Sequence, residues 1–139
     1  MDKKDTRWKQ RFANYNKALS NLQGVIDDYR RGDMSIVEKV GMIKFFEMVY
    51  ELAWLTMKDF YEEQGEANIQ GSKDAIRIGF RRGLINNGES WLDMVKSRRL
   101  SVHTYDESTA NEIAEEISTT YINLFIQLQT RLNVEVQTS

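Results

Sequence analysis

Along the first thirty positions the apolar residues Trp8, Phe12, Tyr15, Leu19, Leu22, Ile26 and Tyr29 recur at alternating intervals of four and three. This unbroken heptad stripe predicts a long amphipathic helix. Gly24 lowers the helix propensity without interrupting the stripe, and Gly32 offers a left-handed residue to end it. At a rise of about 1.5 Å per residue the helix spans about 35 Å and needs a long antiparallel neighbour. Ser35 and Glu38 then form an S-x-x-E capping box that starts a second helix, running to about Gln64. Ile36, Val40, Ile43, Tyr50, Trp54, Met57 and Tyr61 form its stripe, and Phe46, Val49, Ala53 and Phe60 widen it. A helix this apolar is expected at the centre, touching several neighbours. Glu47 falls on the stripe and Glu51 one turn further on. A carboxylate there needs a partner if it is buried; otherwise both lie at the edge of a broad stripe.

The segment GEANIQGS, residues 65–72, reads as a loop. Ser72 is the expected cap of a short third helix, with Asp74 favourable in its first turn. Ile76, Phe80 and Leu84 mark its inner face, and Arg77, Arg81 and Arg82 its outer one. Asn86-Asn87-Gly88 reads as a turn into a fourth helix with Trp91, Leu92 and Val95 inward. That helix frays within SRRLSVHTY, residues 97–105. Thr104 and Glu107 make a second S/T-x-x-E box, so a fifth helix starts near Tyr105, with Ile113, Ile117, Tyr121, Leu124, Leu128 and Leu132 as its stripe. The expectation is an all-α fold: an antiparallel four-helix-type bundle of three long helices, with a short pair inserted between the second and third. The 139 residues fit one domain, 1–139, with a loose tail over 134–139. Long helices with aromatic stripes have one face for their own core and another for a second subunit, so a homodimer is expected.

Composition narrows the chemistry. Cysteine is absent, which excludes disulfides, thiolate metal sites and a cysteine nucleophile. Proline is absent too, where ordinary usage is about 5%. No run approaches the roughly 18 apolar residues of a membrane span, and the first ten residues lack a signal-peptide core. A cytoplasmic protein is expected. Net charge is −2, but residues 72–105 carry seven basic and three acidic groups, whereas residues 106–139 carry one and six. The basic excess ends in the segment that holds the chain's single histidine, His103. A local positive field beside a histidine suits a phosphate-bearing ligand, although helical surfaces carry charge in any case.

There is no Gly-rich phosphate loop, no G-x-S-x-G and no H-E-x-x-H, and one histidine with scattered acids is a poor metal set. No metal or cofactor is expected. The paired aspartates of a nucleotidyltransferase on a strand are also missing, so the chain is not expected to transfer nucleotides itself. On a continuous helix Arg99 and His103 would share a face, about 40° apart, and Arg98 and His103 would not, about 140° apart. A break near Thr104 lets Arg98 and His103 converge across the helix end, with helix N–H groups nearby for a phosphate. Arginine presents a planar fork to phosphate oxygens and histidine moves protons near neutral pH. Together they could cleave RNA without metal, the 2′-hydroxyl attacking the adjacent phosphorus. One histidine leaves that mechanism short of either its acid or its base; a symmetric dimer supplies the second. The plainer reading is a capping or packing histidine at a helix junction.

Arg98-x4-His103-x-Tyr105 resembles the R-x4-H-x-Y motif of HepT-type proteins in the HEPN superfamily. FFEMVYELAW (45–54), GSKDAIRIGFRRGLI (71–85) and SWLDMVKSRRLSVHTYDESTA (90–110) resemble, in order, blocks of its nucleotidyltransferase substrate-binding branch. The resemblance covers roughly residues 8–130. It implies a dimeric helical bundle paired with a separate minimal nucleotidyltransferase. In HepT-type pairs the bundle is a metal-independent RNase, silenced when the partner attaches AMP to the motif tyrosine. In the older view it is the substrate-binding subunit of a two-chain nucleotidyltransferase. By position Arg98 and His103 would be catalytic and Tyr105 the modification site, with Arg99, Glu47 and Glu51 in support. Arg99 departs from the pattern, which usually has a small polar residue there. A third reading is a helical dimerisation module in which these residues only pack.

Overall fold

The computed structural model describes residues 4–138, with side chains from Arg7 onward. Four helices come first: α1 (Lys4–Arg30), α2 (Ile36–Glu63), α3 (Ser72–Arg81) and α4 (Gly88–Leu100). After a 3₁₀ turn at Ser101–His103, α5 (Glu107–Glu116), a π turn (Ile117–Tyr121) and α6 (Ile122–Thr138) form one continuous rod. The described residues are helix, turn and loop, so the all-α expectation holds. The rod runs as helix through Thr138, past Asn133.

The seven-residue stripe of α1 becomes core: Trp8, Phe12, Tyr15, Leu19, Leu22 and Ile26 are buried, and Tyr29 packs at the edge. Gly32 ends the helix at φ +89°, and the Ser35–Glu38 capping box forms with both reciprocal bonds. Arg11 pairs with Asp59 at 3.0 Å, so α1 lies antiparallel to α2. Tyr15 donates to the Phe125 carbonyl at 2.7 Å and Arg30 to the Ser118 carbonyl at 2.6 Å, which sets α1 antiparallel to the rod as well. Tyr121 donates to the Asp93 carbonyl and Trp91 packs edge-on against Phe125. α4 therefore also runs against the rod and completes the four-helix arrangement.

Four details depart from the sequence reading. The N-cap of α3 is Gly71; Ser72 sits inside the helix and accepts from the Tyr50 hydroxyl at 2.7 Å. Phe80 faces solvent, while Ala75, Ile76, Ile78 and Gly79 are buried. α3 approaches α2 so closely that a Cβ on Gly79 would stand 3.1 Å from Met57 Sδ, and this turns Phe80 outward. On α4 it is Met94, not Leu92, that joins Trp91 inside, with Val95 half-buried. Finally, α5 is capped by Asp106, whose carboxylate accepts from the Ser108 N–H at 3.1 Å; Thr104 belongs to the preceding turn.

Candidate functional site

Three packed layers fix the end of α4. Phe46 of α2 stacks on Tyr121 of the π turn with centroids 5.6 Å apart and also meets Phe125. Such ring pairs contribute about 0.5–1.5 kcal/mol beyond burial. The Tyr121 hydroxyl then meets Ser97 Oγ at 2.6 Å, one residue before Arg98. Burial raises the Tyr121 pKa, and the Ser97 contact opposes that. The π turn rotates the rod locally, and Arg30 takes up the Ser118 carbonyl within it.

Arg98 leaves this platform toward α2. Its guanidinium lies 3.4 Å from Glu47 Oε2 and donates to Ser101 Oγ at 3.2 Å. Ser101 is 4% exposed, and its hydroxyl lies 2.5 Å from Glu47 and 2.7 Å from the Arg98 carbonyl. The Arg98 carbonyl also accepts from the Ser101 N–H, where α4 gives way to the 3₁₀ turn. Lys44 adds a third donor to Glu47 at 3.2 Å. Glu47, only 13% exposed at its side chain, is thus a mostly buried carboxylate held by three donors. Arg98, Glu47, Lys44, Ser101 and Thr104 line a cleft of about 310 Å³, with Val40, Ile43 and Val102 as its apolar walls.

His103 is exposed, so it does not pack in the core. Its Nδ1 lies 2.9 Å from the Tyr105 hydroxyl, and Tyr105 is 83% exposed. No hydrogen bond links this pair to Arg98; the two halves of the motif face different partners. Arg99 and Glu51 are exposed, with no hydrogen bond or ion pair to a described residue. The helix end anticipated as a phosphate site is already served by the Asp106 carboxylate, which leaves the arginines as the anion donors. Among the described residues no cluster of acids and histidine could hold a metal ion, and no helix is long and apolar enough to cross a membrane.

Ser101, Ser97 and Lys44 were not singled out from sequence; Tyr121 was read as part of the apolar stripe, and it is buried, but not as a support of the site. Ser101 had a local signal, a hydroxyl three residues after Arg98 where the helix was expected to fray. The stripe placed the Tyr121 ring inward, but the contact of its hydroxyl with Ser97 had no signal in the spacing.

Comparison with known proteins gives the chain a family. The model of the nucleotidyltransferase substrate binding protein like family matches residues 10–134. A Haemophilus influenzae protein named probable ribonuclease HepT is 32% identical over 81 residues, 55% of this chain and 56% of that protein, so the match spans little more than half of the relative. A Thermus thermophilus crystal structure superposes with a TM-score of 0.76 at 30% identity, over 85% of this chain and 98% of that one. A Haemophilus influenzae structure, described as a substrate binding domain of a nucleotidyltransferase, gives 0.76 at 27% identity, over 88% and 98%. With its helical bundle and nearly its whole length matched, the chain belongs to the nucleotidyltransferase substrate binding protein like family.

Proposed function

We propose that this chain is a HEPN-type bundle, one domain over its whole length, that works in the cytoplasm beside a separate minimal nucleotidyltransferase. It cleaves RNA without a metal ion, using Arg98 and His103, and is silenced at Tyr105. The observation that supports this reading is the exposed His103–Tyr105 pair at 2.9 Å, just past the end of the helix that carries a guanidinium held by Glu47. With Nδ1 facing the phenol, Nε2 remains to take the proton of an RNA 2′-hydroxyl. The 2′-oxygen attacks phosphorus and the bond to the 5′-oxygen breaks. The leaving oxygen takes a proton from His103 of a second copy, and a 2′,3′-cyclic phosphate remains. Arg98 stabilises the charge that grows on the phosphoryl oxygens.

The second copy is part of the proposal. Val37, Gly41, Lys44, Met48 and Glu51 form an exposed stripe on α2, an otherwise central helix, and Val102 (65% exposed) lies beside the same cleft. A partner on that face would bring two such turns together. Silencing uses the same contact. The Tyr105 oxygen attacks the α-phosphorus of a nucleoside triphosphate, the O–P bond forms, pyrophosphate leaves, and Nδ1 of His103, in the other neutral tautomer with its proton on Nε2, accepts the phenol proton. The added phosphate then occupies the site meant for RNA. Glu47 and Ser101 position Arg98, and Arg99 and Glu51 flank the site.

The test is cleavage of RNA by the purified protein in EDTA. His103→Ala is expected to abolish it, and cleavage that survives the substitution overturns the mechanism. The other reading, a non-catalytic substrate-binding subunit, is favoured by one observation: Arg98 is engaged by Glu47 and Ser101 rather than by His103. It predicts a stable complex with a nucleotidyltransferase and no cleavage at any protein concentration.

A further inference from the structure

A second surface shares no residue with the Arg98 cleft. Between α3 and α4 lies a groove of about 290 Å³, lined by Ile76, Arg77, Phe80, Gly88, Glu89 and Leu92. Phe80 is 53% exposed and Leu92 39%. The ring of Phe80 lies against the backbone of Gly88: a Cβ there would stand 2.9–3.4 Å from three of its ring carbons. One face of the ring is thus seated on the main chain while much of the side chain remains open. Arg77 lines the groove and Arg81 follows Phe80 in the chain; both are exposed, and their side chains have no hydrogen bond or ion pair to a described residue. Arg82 differs, because it is paired with Glu66. Glu89 is the acid of the groove and stands on the α4 side, so the cations lie on the α3 side.

We infer that Phe80 is a stacking platform for a nucleobase whose phosphate is held by Arg77 and Arg81. An aromatic ring seated on one face and unpaired arginines beside it are the two elements of sequence-tolerant single-strand binding. The positive balance of residues 72–105 gives the field that such a ligand needs. The inference rests on the reading above only for its biological sense: if RNA is the substrate, this groove holds the strand away from the reacting phosphate. Gly88 is part of the platform because any side chain there displaces the ring.

Binding of a fluorescein-labelled 2′-O-methyl oligoadenylate, read by anisotropy, tests this. That probe has no 2′-hydroxyl to attack phosphorus, so binding is measured whether or not the protein is a nuclease. Phe80→Ala is expected to weaken binding roughly 5- to 150-fold, whereas Phe80→Trp keeps a flat ring and retains it. Gly88→Ala lowers affinity although Phe80 is still present. Arg77→Gln with Arg81→Gln lowers the slope of log K against log salt by about 0.7, the value for one phosphate of a single strand. Competition with AMP separates the sources: displacement at AMP concentrations comparable to the strand assigns the site to a free nucleotide, and resistance assigns it to a strand. Unchanged affinity in folded Phe80→Ala, with circular dichroism as the fold check, overturns the inference. So does a variant that loses only its complex with a nucleotidyltransferase, since the face then belongs to a protein partner. Loss of cleavage in His103→Ala with oligonucleotide affinity intact leaves the platform standing, so the two readings fail separately.

Discussion

Arg98 and His103 belong to one motif, yet their surroundings are opposite. Arg98 is half-buried, tied to a carboxylate on another helix and to a buried serine. His103 is exposed, and its ring meets the phenol two residues on. The first half of the motif is therefore part of what holds α4 to α2, and the second half rests on the surface. The difference separates two kinds of substitution, those that disturb the fold and those that disturb only chemistry.

The largest expected effect lies on the exposed side. His103→Ala should lower RNA cleavage by about 10²–10⁴-fold, the usual contribution of a positioned general acid or base. Its stability should stay within about 0.5 kcal/mol of the parent, as for other surface changes. Cleavage assays and urea denaturation on the same preparation measure both. A large loss of stability would erase the contrast with Arg98.

On the half-buried side the order reverses. Glu47→Ala removes the buried carboxylate that Arg98 and Ser101 share, and should cost about 1–3 kcal/mol in urea denaturation. Glu47→Gln keeps an acceptor oxygen and should cost less. Cleavage should fall in both, because Arg98 loses its orientation. If Glu47→Ala unfolds no more readily than His103→Ala, the ion pair is not the anchor inferred from its burial.

The same contrast explains what was legible in the sequence. The long stripes, Trp8 to Tyr29 and Ile113 to Leu132, were readable because many turns repeat one face, and each repeat confirms the last. α3 is short, and its apolar residues fit two faces; the choice was made by Gly79 closing on Met57, a contact between helices that spacing does not encode. Phe80 was misassigned for that reason, and Leu92 in place of Met94 for a similar one. The motif residues were legible as residue types, and the helix break between them was expected. Its cap was misplaced because Thr104 and Asp106 are both good caps two positions apart. The three donors on Glu47 depend on tertiary packing, so sequence offered a carboxylate in need of a partner and no more.

The buried tyrosines extend the comparison to pH. Burial raises the pKa of Tyr15 well above 10 and that of Tyr61 to about 12, and raises Tyr50 and Tyr121 as well. The folded state holds these protons more tightly than the unfolded chain does. Their contribution is therefore complete below about pH 10, the unfolded value, and is lost as pH rises through the folded values. The urea midpoint should be flat from pH 8 to about 9.5 and fall steeply by pH 12. A midpoint that holds through pH 12 would mean the phenols ionise without leaving the core. Tyr121→Phe is a milder break of the same layer. It removes the contacts to Ser97 and the Asp93 carbonyl, for about 1 kcal/mol, and should loosen the end of α4.

The smallest expected effect belongs to Tyr105→Phe. The phenol is 83% exposed and its hydrogen bond to His103 is on the surface, so water replaces it and stability should move by less than about 0.5 kcal/mol. The ring, which meets the imidazole edge-on at 5.5 Å, is kept. Cleavage should also persist, because the proton acceptor is the opposite nitrogen of His103. What disappears is the oxygen that carries the silencing group. Incubated with the nucleotidyltransferase and ATP, the parent should gain AMP mass and lose activity, while Tyr105→Phe should gain none and stay active. If the variant loses cleavage without modification, the phenol orients the imidazole during catalysis, and His103 is less independent of its surroundings than its exposure suggests.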